Sequence, residues 1–203
     1  MAEQQPDKGR RCMLVAASTM AGGVAVAAAG VPFVASMLPS ERAKAAGAPV
    51  EADISKLAPG ERMTVEWRGK PVWIVRRTPE QLDMIKNNDD RVADPKSNKV
   101  MQPNYAKNEF RSIKPEFLVL VGICTHLGCS PVEKFQVQAE AFAADWKGGF
   151  YCPCHGSLFD LAGRVYKNKP APDNLVVPPH KFLAEGRILI GEDAGASGDK
   201  GAA

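Results

Sequence analysis

Apolar and polar positions divide the chain into stretches of different character. Residues 12–40 carry no charged side chain. A helix that crosses a bilayer needs about 20 mostly apolar residues, so the pattern predicts one N-terminal transmembrane helix over 12–38. From residue 50 to 191 the pattern shifts to short runs. Residues 62–67 (RMTVEW) alternate apolar with polar, 68–71 (RGKP) read as a turn, and 72–75 return as a second strand. Further short strands are expected over 117–121, 132–137, 150–151, 158–161, 165–166, 175–177, 181–184 and 187–190. Thr78-Pro-Glu-Gln81 forms a capping box with proline at the first helical position, which predicts a short helix ending near Lys86. Residues 87–115 are polar and broken by Asp94-Pro95 and Gln102-Pro103, an irregular insertion. Many short strands separated by turns indicate a mainly β head, an antiparallel sandwich or barrel.

Two low-complexity segments frame this head. Residues 39–49 (PSERAKAAGAP) are small and polar and read as a hinge linker. Extended, they reach about 36–40 Å at about 3.3–3.6 Å per residue; as a helix, less than half of that. Residues 192–203 are rich in Gly, Ala and Asp and are expected to be disordered. Ahead of the apolar run, residues 1–11 hold an Arg10–Arg11 pair followed by Cys12, Met13 and Leu14. This pattern resembles a twin-arginine export signal, with Gly9 where Ser or Thr is usual. Basic residues before the run also place the N-terminus in the cytoplasm and the head across the membrane. A cleaved signal has an apolar core of only about 7–15 residues. The longer run here favours an uncleaved anchor, although Ala43-Lys44-Ala45 resembles a cleavage site. The formal net charge of +3 and the interspersed acids leave no basic stripe, so no nucleic-acid partner is expected.

The chemistry lies in the cysteines and histidines. There are five cysteines and three histidines. Cys124, His126 and Cys129 share the box CTHLGC, and Cys152, Cys154 and His155 share CPCHGS. One residue separates Cys152 from Cys154, which excludes the C-x-x-C-H haem signature and the C-x-x-C redox motif. Both boxes follow predicted strands, which makes them neighbouring loops at one end of the sheet. Two ligands from each loop compose a Cys2His2 set that fits a tetrahedral structural zinc. It also fits a Rieske 2Fe–2S cluster, in which two thiolates hold one iron and two imidazoles the other. Zinc would leave Cys129 and Cys154 without a role. A cluster on two exposed loops benefits from a covalent strap, which an exported domain can form. His180, with no cysteine nearby, reads as structural or surface, and Cys12 as an unpaired thiol at the membrane edge.

CTHLGC followed by CPCHGS resembles the two cluster-binding boxes of the Rieske iron–sulfur protein of the cytochrome bc complex, ubiquinol–cytochrome c reductase. The likeness extends to the twin-arginine anchor, the hinge, the Arg77–Glu80 segment and a Pro-Ala-Pro loop at 170–172. It implies a Rieske-like head with one 2Fe–2S cluster, Cys124 and Cys152 on the inner iron, and His126 and His155 on the outer one. The free ring nitrogens of the histidines would face solvent or substrate, with His155 the first choice for the quinol contact and His126 the second. By the same resemblance Cys129 and Cys154 form the strap, Leu127 shields the cluster, and Ser157 donates a hydrogen bond to a bridging sulfide. The implied partners are a cytochrome b subunit, a membrane-anchored c-type cytochrome, ubiquinol and membrane lipid, in a dimeric complex of a bacterial inner membrane with the head on the periplasmic side. Such a chain carries electrons and is not catalytic alone. The Rieske subunit of another exported enzyme, such as an arsenite oxidase, is the alternative. Two positions depart from the family: Phe159, where many members have tyrosine, and Lys169, where glycine is frequent before the proline loop.

Overall fold

A computed structural model describes residues 7–184 and 186–193 of the chain. The start of the export segment (1–6) and most of the expected disordered tail (194–203) lie outside the described residues. The chain divides into two compact units, residues up to Ala45 and residues from Ala46 onward.

The first unit is a single long helix, α1, Lys8–Ser36. Its 29 residues span about 44 Å at about 1.5 Å each, more than the hydrocarbon thickness of about 30 Å. Asp7 caps its N-terminus, accepting from the backbone N–H of Gly9 and Arg10. Within the apolar run, Ser18, Thr19 and Ser36 return their hydroxyls to carbonyls one turn back, so no hydroxyl needs water. The helix is long and apolar enough to cross a membrane, with a mean hydropathy of 1.8. The linker is not wholly irregular: a short helix, α2 (Glu41–Ala46), occupies its middle.

Among the described residues the head contains nine strands: β1 Val50–Asp53, β2 Arg62–Trp67, β3 Lys70–Arg76, β4 Phe117–Val121, β5 Val132–Lys134, β6 Gly149–Cys152, β7 Ser157–Phe159, β8 His180–Ala184 and β9 Arg187–Ile190. They form three three-stranded sheets, ordered β1-β9-β8, β2-β3-β4 and β5-β6-β7, and every pairing is antiparallel. The expected sandwich is thus built from three small sheets. The middle sheet is apolar on both faces. Val72, Ile74 and Val119 pack with Ala52, Ile188 and Ile190. Trp73, Val75, Leu118 and Leu120 point the other way and share a core with Cys124, Phe150, Cys152 and Phe159. Alternating side chains along β3 and β4 therefore join the base of the head to the cysteine boxes.

The β2–β3 turn is a two-residue hairpin at Arg68 and Gly69, both at positive φ (52° and 68°), the combination that suits the twist of paired strands. α3, Pro79–Lys86, begins with the expected capping box between Thr78 and Gln81. Residues 87–115 are irregular apart from two short 3-10 turns, Asp89–Arg91 and Asn104–Ala106.

Several expectations need correction. β1 follows the hinge directly and was not anticipated. The strand expected over 132–137 ends at Lys134, because Phe135 turns in to pack edge-on against Phe150. The strand over 158–161 ends at Phe159, because the Asp160 carboxylate accepts from the N–H of Ala162 and Arg164 and bends the chain. Residues 165–166 form only isolated bridges. Residues 175–177 form no ladder, since their backbone groups bond separately to Gly163, Met101 and Val121. The head also buries charge. Arg77, Arg111, Arg164 and Asp160 are buried. Arg77 donates to the carbonyls of Phe110, Pro115 and Leu161, and Arg111 to those of Ala162, Gly163 and Leu175. Burial pulls Arg77 down to about 9 and Arg111 down to about 10, so both remain cations at neutral pH. These guanidiniums satisfy loop carbonyls that strand pairing leaves open.

Candidate metal centre

Box 1 starts where β4 ends. Gly122 donates its N–H to the Pro71 carbonyl at 2.8 Å. A Cβ at this position would lie 2.2–2.6 Å from the Trp73 indole, so only glycine lets the chain pass this close. Trp73 is in turn stacked on Phe150 of β6, with centroids 5.1 Å apart. The box then curls on itself: Cys124 N–H donates to the Cys129 carbonyl at 2.7 Å, and Gly128 N–H to the Cys124 carbonyl at 3.1 Å. Gly128, at φ 84°, supplies the left-handed residue that this curl requires. Box 2 is the tip of the β6–β7 hairpin, where Cys152 pairs with Ser157 and Gly156 N–H closes onto the Cys152 carbonyl.

The two tips meet. Cys129 and Cys154 form a disulfide, with Cα atoms 6.7 Å apart. Cys124 and Cys152 are free thiols, each only 2% exposed. Burial raises the Cys152 thiol and a hydrogen-bond contact with Cys124 raises it further, so these two sulfurs are neighbours. The rings of His126 and His155 touch edge to face with centroids 4.8 Å apart; His155 is exposed and His126 half-buried. His126 Nδ1 is sealed from solvent and has no hydrogen-bond partner, which is costly for an imidazole nitrogen unless something else binds there. The sulfurs of Cys129, Cys152 and Cys154 also lie within 4.8 Å of one another. Two of these belong to the disulfide and have no free thiolate, so this trio is not itself a ligand set.

Around the tips, Leu127 stands 71% exposed. Ser157 Oγ is buried and accepts from Ala171 N–H at 3.0 Å, which leaves its own proton free to donate. Despite Lys169, the proline loop touches both boxes, because Thr125 Oγ1 also donates to the Asp173 carbonyl at 2.6 Å. Phe159 is fully buried in the core that holds Cys124 and Cys152. His180 lies elsewhere, buried, its Nδ1 donating to the Pro178 carbonyl at 2.8 Å and its backbone N–H to the Tyr105 hydroxyl. It has a structural role. Gly122, Trp73 and Thr125 escaped the sequence reading. A glycine two residues before the first box cysteine, directly after an apolar strand, was the available signal.

Residues 48–179 match the Rieske [2Fe-2S] domain family, and residues 1–40 match the family described as the ubiquinol–cytochrome c reductase Fe–S subunit TAT signal. The chain is 58% identical to the ubiquinol-cytochrome c reductase iron-sulfur subunit of Allochromatium vinosum, over 97% of this chain and 95% of that one. The chain belongs to the Rieske family of ubiquinol–cytochrome c reductase iron–sulfur subunits. A protein of the same name from Bradyrhizobium diazoefficiens is 40% identical over 90% of this chain and 94% of that one. Among solved structures, "Hyperthermophilic respiratory Complex III" is 28% identical, covering 87% of this chain and 98% of that one, with a TM-score of 0.44.

The cofactor of this family is a [2Fe–2S] cluster, and the residues present suit one. Two buried free thiols, a sealed imidazole nitrogen and a second histidine meet at two tethered loop tips, the mixed sulfur and nitrogen donor set that a Rieske cluster takes. The curated relatives reported above are ubiquinol-cytochrome c reductase iron-sulfur subunits. The buried Phe159 side chain bears on the potential of such a cluster. Hydrogen bonds to cluster sulfurs raise the potential, and the Phe159 ring has none to give. Phe159→Tyr is expected to raise the midpoint potential; voltammetry showing no rise, or a fall, would reject this.

Proposed function

We propose that Cys124, His126, Cys152 and His155 hold the cluster. The head then takes one electron and one proton from ubiquinol and passes the electron to a membrane c-type cytochrome, working beside a cytochrome b subunit in a dimeric complex. The observation that carries the reading is the meeting of two buried free cysteines with two edge-packed histidines between loops tied by a disulfide. When bound, the cluster supplies one-electron acceptance at a potential that nitrogen ligation raises, roughly −150 to +300 mV against about −400 mV for plant-type all-cysteine clusters.

The residues supply the rest. His126 turns its sealed Nδ1 inward as a ligand, which leaves Nε2 on the outer side. His155, exposed at the tip, presents its outer ring nitrogen as the acceptor for a quinol hydroxyl proton, and His126 is the second candidate. Leu127, exposed beside them, covers the site against water when a quinol-binding surface closes over it. Ser157 Oγ, oriented by Ala171 N–H, keeps its proton for a cluster sulfide.

α1 is read as an uncleaved single-pass anchor in a bacterial inner membrane, with the N-terminus cytoplasmic and the head periplasmic. The twin-arginine match supports export of a folded, loaded head. α2 has only six residues and is too short to be stable by itself. Unwinding it would lengthen this part of the tether from about 9 Å to about 20 Å, which suits a head that moves between two partners.

In membranes that contain the protein, ubiquinol is expected to reduce a c-type cytochrome, and a ligand of the quinol site is expected to block this. Reduction insensitive to such a ligand would reject the reading. Proton coupling has its own signature. If each electron is accompanied by a proton on a histidine nitrogen, the midpoint potential falls as pH rises through the alkaline range. A flat potential across that range would exclude the coupling.

A further inference from the structure

Lys99 lies in the irregular insertion, far in sequence from both boxes, and nothing above gives it a role. Its ammonium donates to the Pro172 carbonyl at 3.1 Å and pairs with the Asp173 carboxylate. Pro172 ends the proline loop and Asp173 follows it directly; this segment touches both boxes, through Asp173 O to Thr125 Oγ1 and through Ala171 N to Ser157 Oγ. Thr125 lies between Cys124 and His126 in the chain. The segment that carries Lys99 is itself braced. The Asp94 carboxylate accepts from the backbone N–H of Asn98 and Lys99, and Gln102 Nε2 donates to the carbonyls of Ser97 and Lys99. Asn174 ties the two segments together again, donating its side-chain amide to the Asp94 carbonyl and accepting from Val165 N–H. So much hydrogen bonding around one lysine fixes where its charge stands.

We propose that Lys99 is a positioning residue that clamps the proline loop against the two boxes and neutralises Asp173, and so sets the potential of the centre. The inference rests on the assignment of the two boxes as cluster loops. Its physical basis is the sign of the charge. Reduction adds a negative charge to the centre. An unpaired Asp173 carboxylate, one residue contact from box 1, opposes that charge, and the paired ammonium removes the opposition. The pair is partly solvated, its side chains 60% and 26% exposed, so its contribution to folding stability is small. A merely structural role would therefore show as a slight loss of stability, with the potential either unchanged or moved the same way by loss of either partner.

The test is a redox titration of membranes holding the full-length protein, followed by electron paramagnetic resonance at low ionic strength. Lys99→Ala is expected to lower the midpoint potential, Asp173→Asn to raise it, and Lys99→Arg to stay near the unmodified protein. Added salt should shrink the first two shifts. The inference is overturned if Lys99→Ala leaves the potential unchanged, or if Lys99→Ala and Asp173→Asn move it the same way, as simple loss of a brace would. Failure of the underlying assignment has a separate sign: the unmodified protein would then show no Rieske-type signal.

Discussion

Replacing Cys152 by serine is expected to abolish the visible absorption and the iron content of the purified protein and to leave a folded head. The thiol is 2% exposed, next to Cys124, at the end of a strand whose side chains are almost wholly buried. Serine is close in size, so the surrounding core loses little packing, and the cost to the fold is about 1–3 kcal/mol for a buried hydroxyl without a good partner. The cost to the cluster is total, because a neutral hydroxyl cannot replace a thiolate ligand. Cys12→Ser provides the internal comparison. Cys12 is exposed on α1, outside both boxes, and its loss should leave the spectrum intact. Iron analysis and circular dichroism on the same preparations decide the matter. Retention of a full iron complement in Cys152→Ser would remove this residue from the ligand set and, with it, the proposed division into inner sulfur and outer nitrogen.

What could be read from the sequence follows physical range. β2, the β2–β3 turn and α3 are specified by neighbours in the chain: alternation over 62–67, glycine at a positive-φ turn position, and the reciprocal Thr78–Gln81 cap. All appear where the pattern places them. The boxes were legible for a different reason, since cysteine and histidine seldom cluster without a chemical cause. What was hidden depends on distant partners. β1 is a strand only because β9 pairs with it. Residues 175–177 have a strand-like composition but give their backbone bonds to three separate segments. The buried arginines look like surface charge until the loop carbonyls that they satisfy are known. The Lys99–Asp173 pair joins residues 74 positions apart, beyond any local pattern.

The middle sheet explains how so short a chain holds two loops in register. Trp73 faces the boxes and its neighbours Val72 and Ile74 face the base. The indole fills the space left by the missing Cβ of Gly122, so the entry of box 1 is set by packing and not by the box itself. Box 2 is set by hairpin register. The two are therefore set by separate elements up to their tips, where the disulfide, the proline loop and the packed histidine rings bring them together.

Loss of the Cys129–Cys154 disulfide is accordingly the second change expected to have a large effect. The sequence separation is 25, and for a loop of that length the chain-entropy relation gives about 3–4 kcal/mol of stabilisation. For a head of this size that corresponds to a fall of roughly 10 °C in thermal midpoint. The double variant Cys129→Ala, Cys154→Ala is the clean probe, since a single replacement would leave a reactive thiol beside the cluster ligands. The cluster should suffer more than the fold. β4 and the β6–β7 hairpin keep their own pairing without the strap, whereas the four proposed ligands, drawn from two loops, require both tips at once. The expected result is a protein that retains its β spectrum, melts earlier, and loses its visible absorption in air many times faster than the unmodified chain. Calorimetry and the decay of absorbance with time measure the two effects separately. An unchanged melting point together with an unchanged cluster lifetime would show that the strap is not needed to hold the tips together.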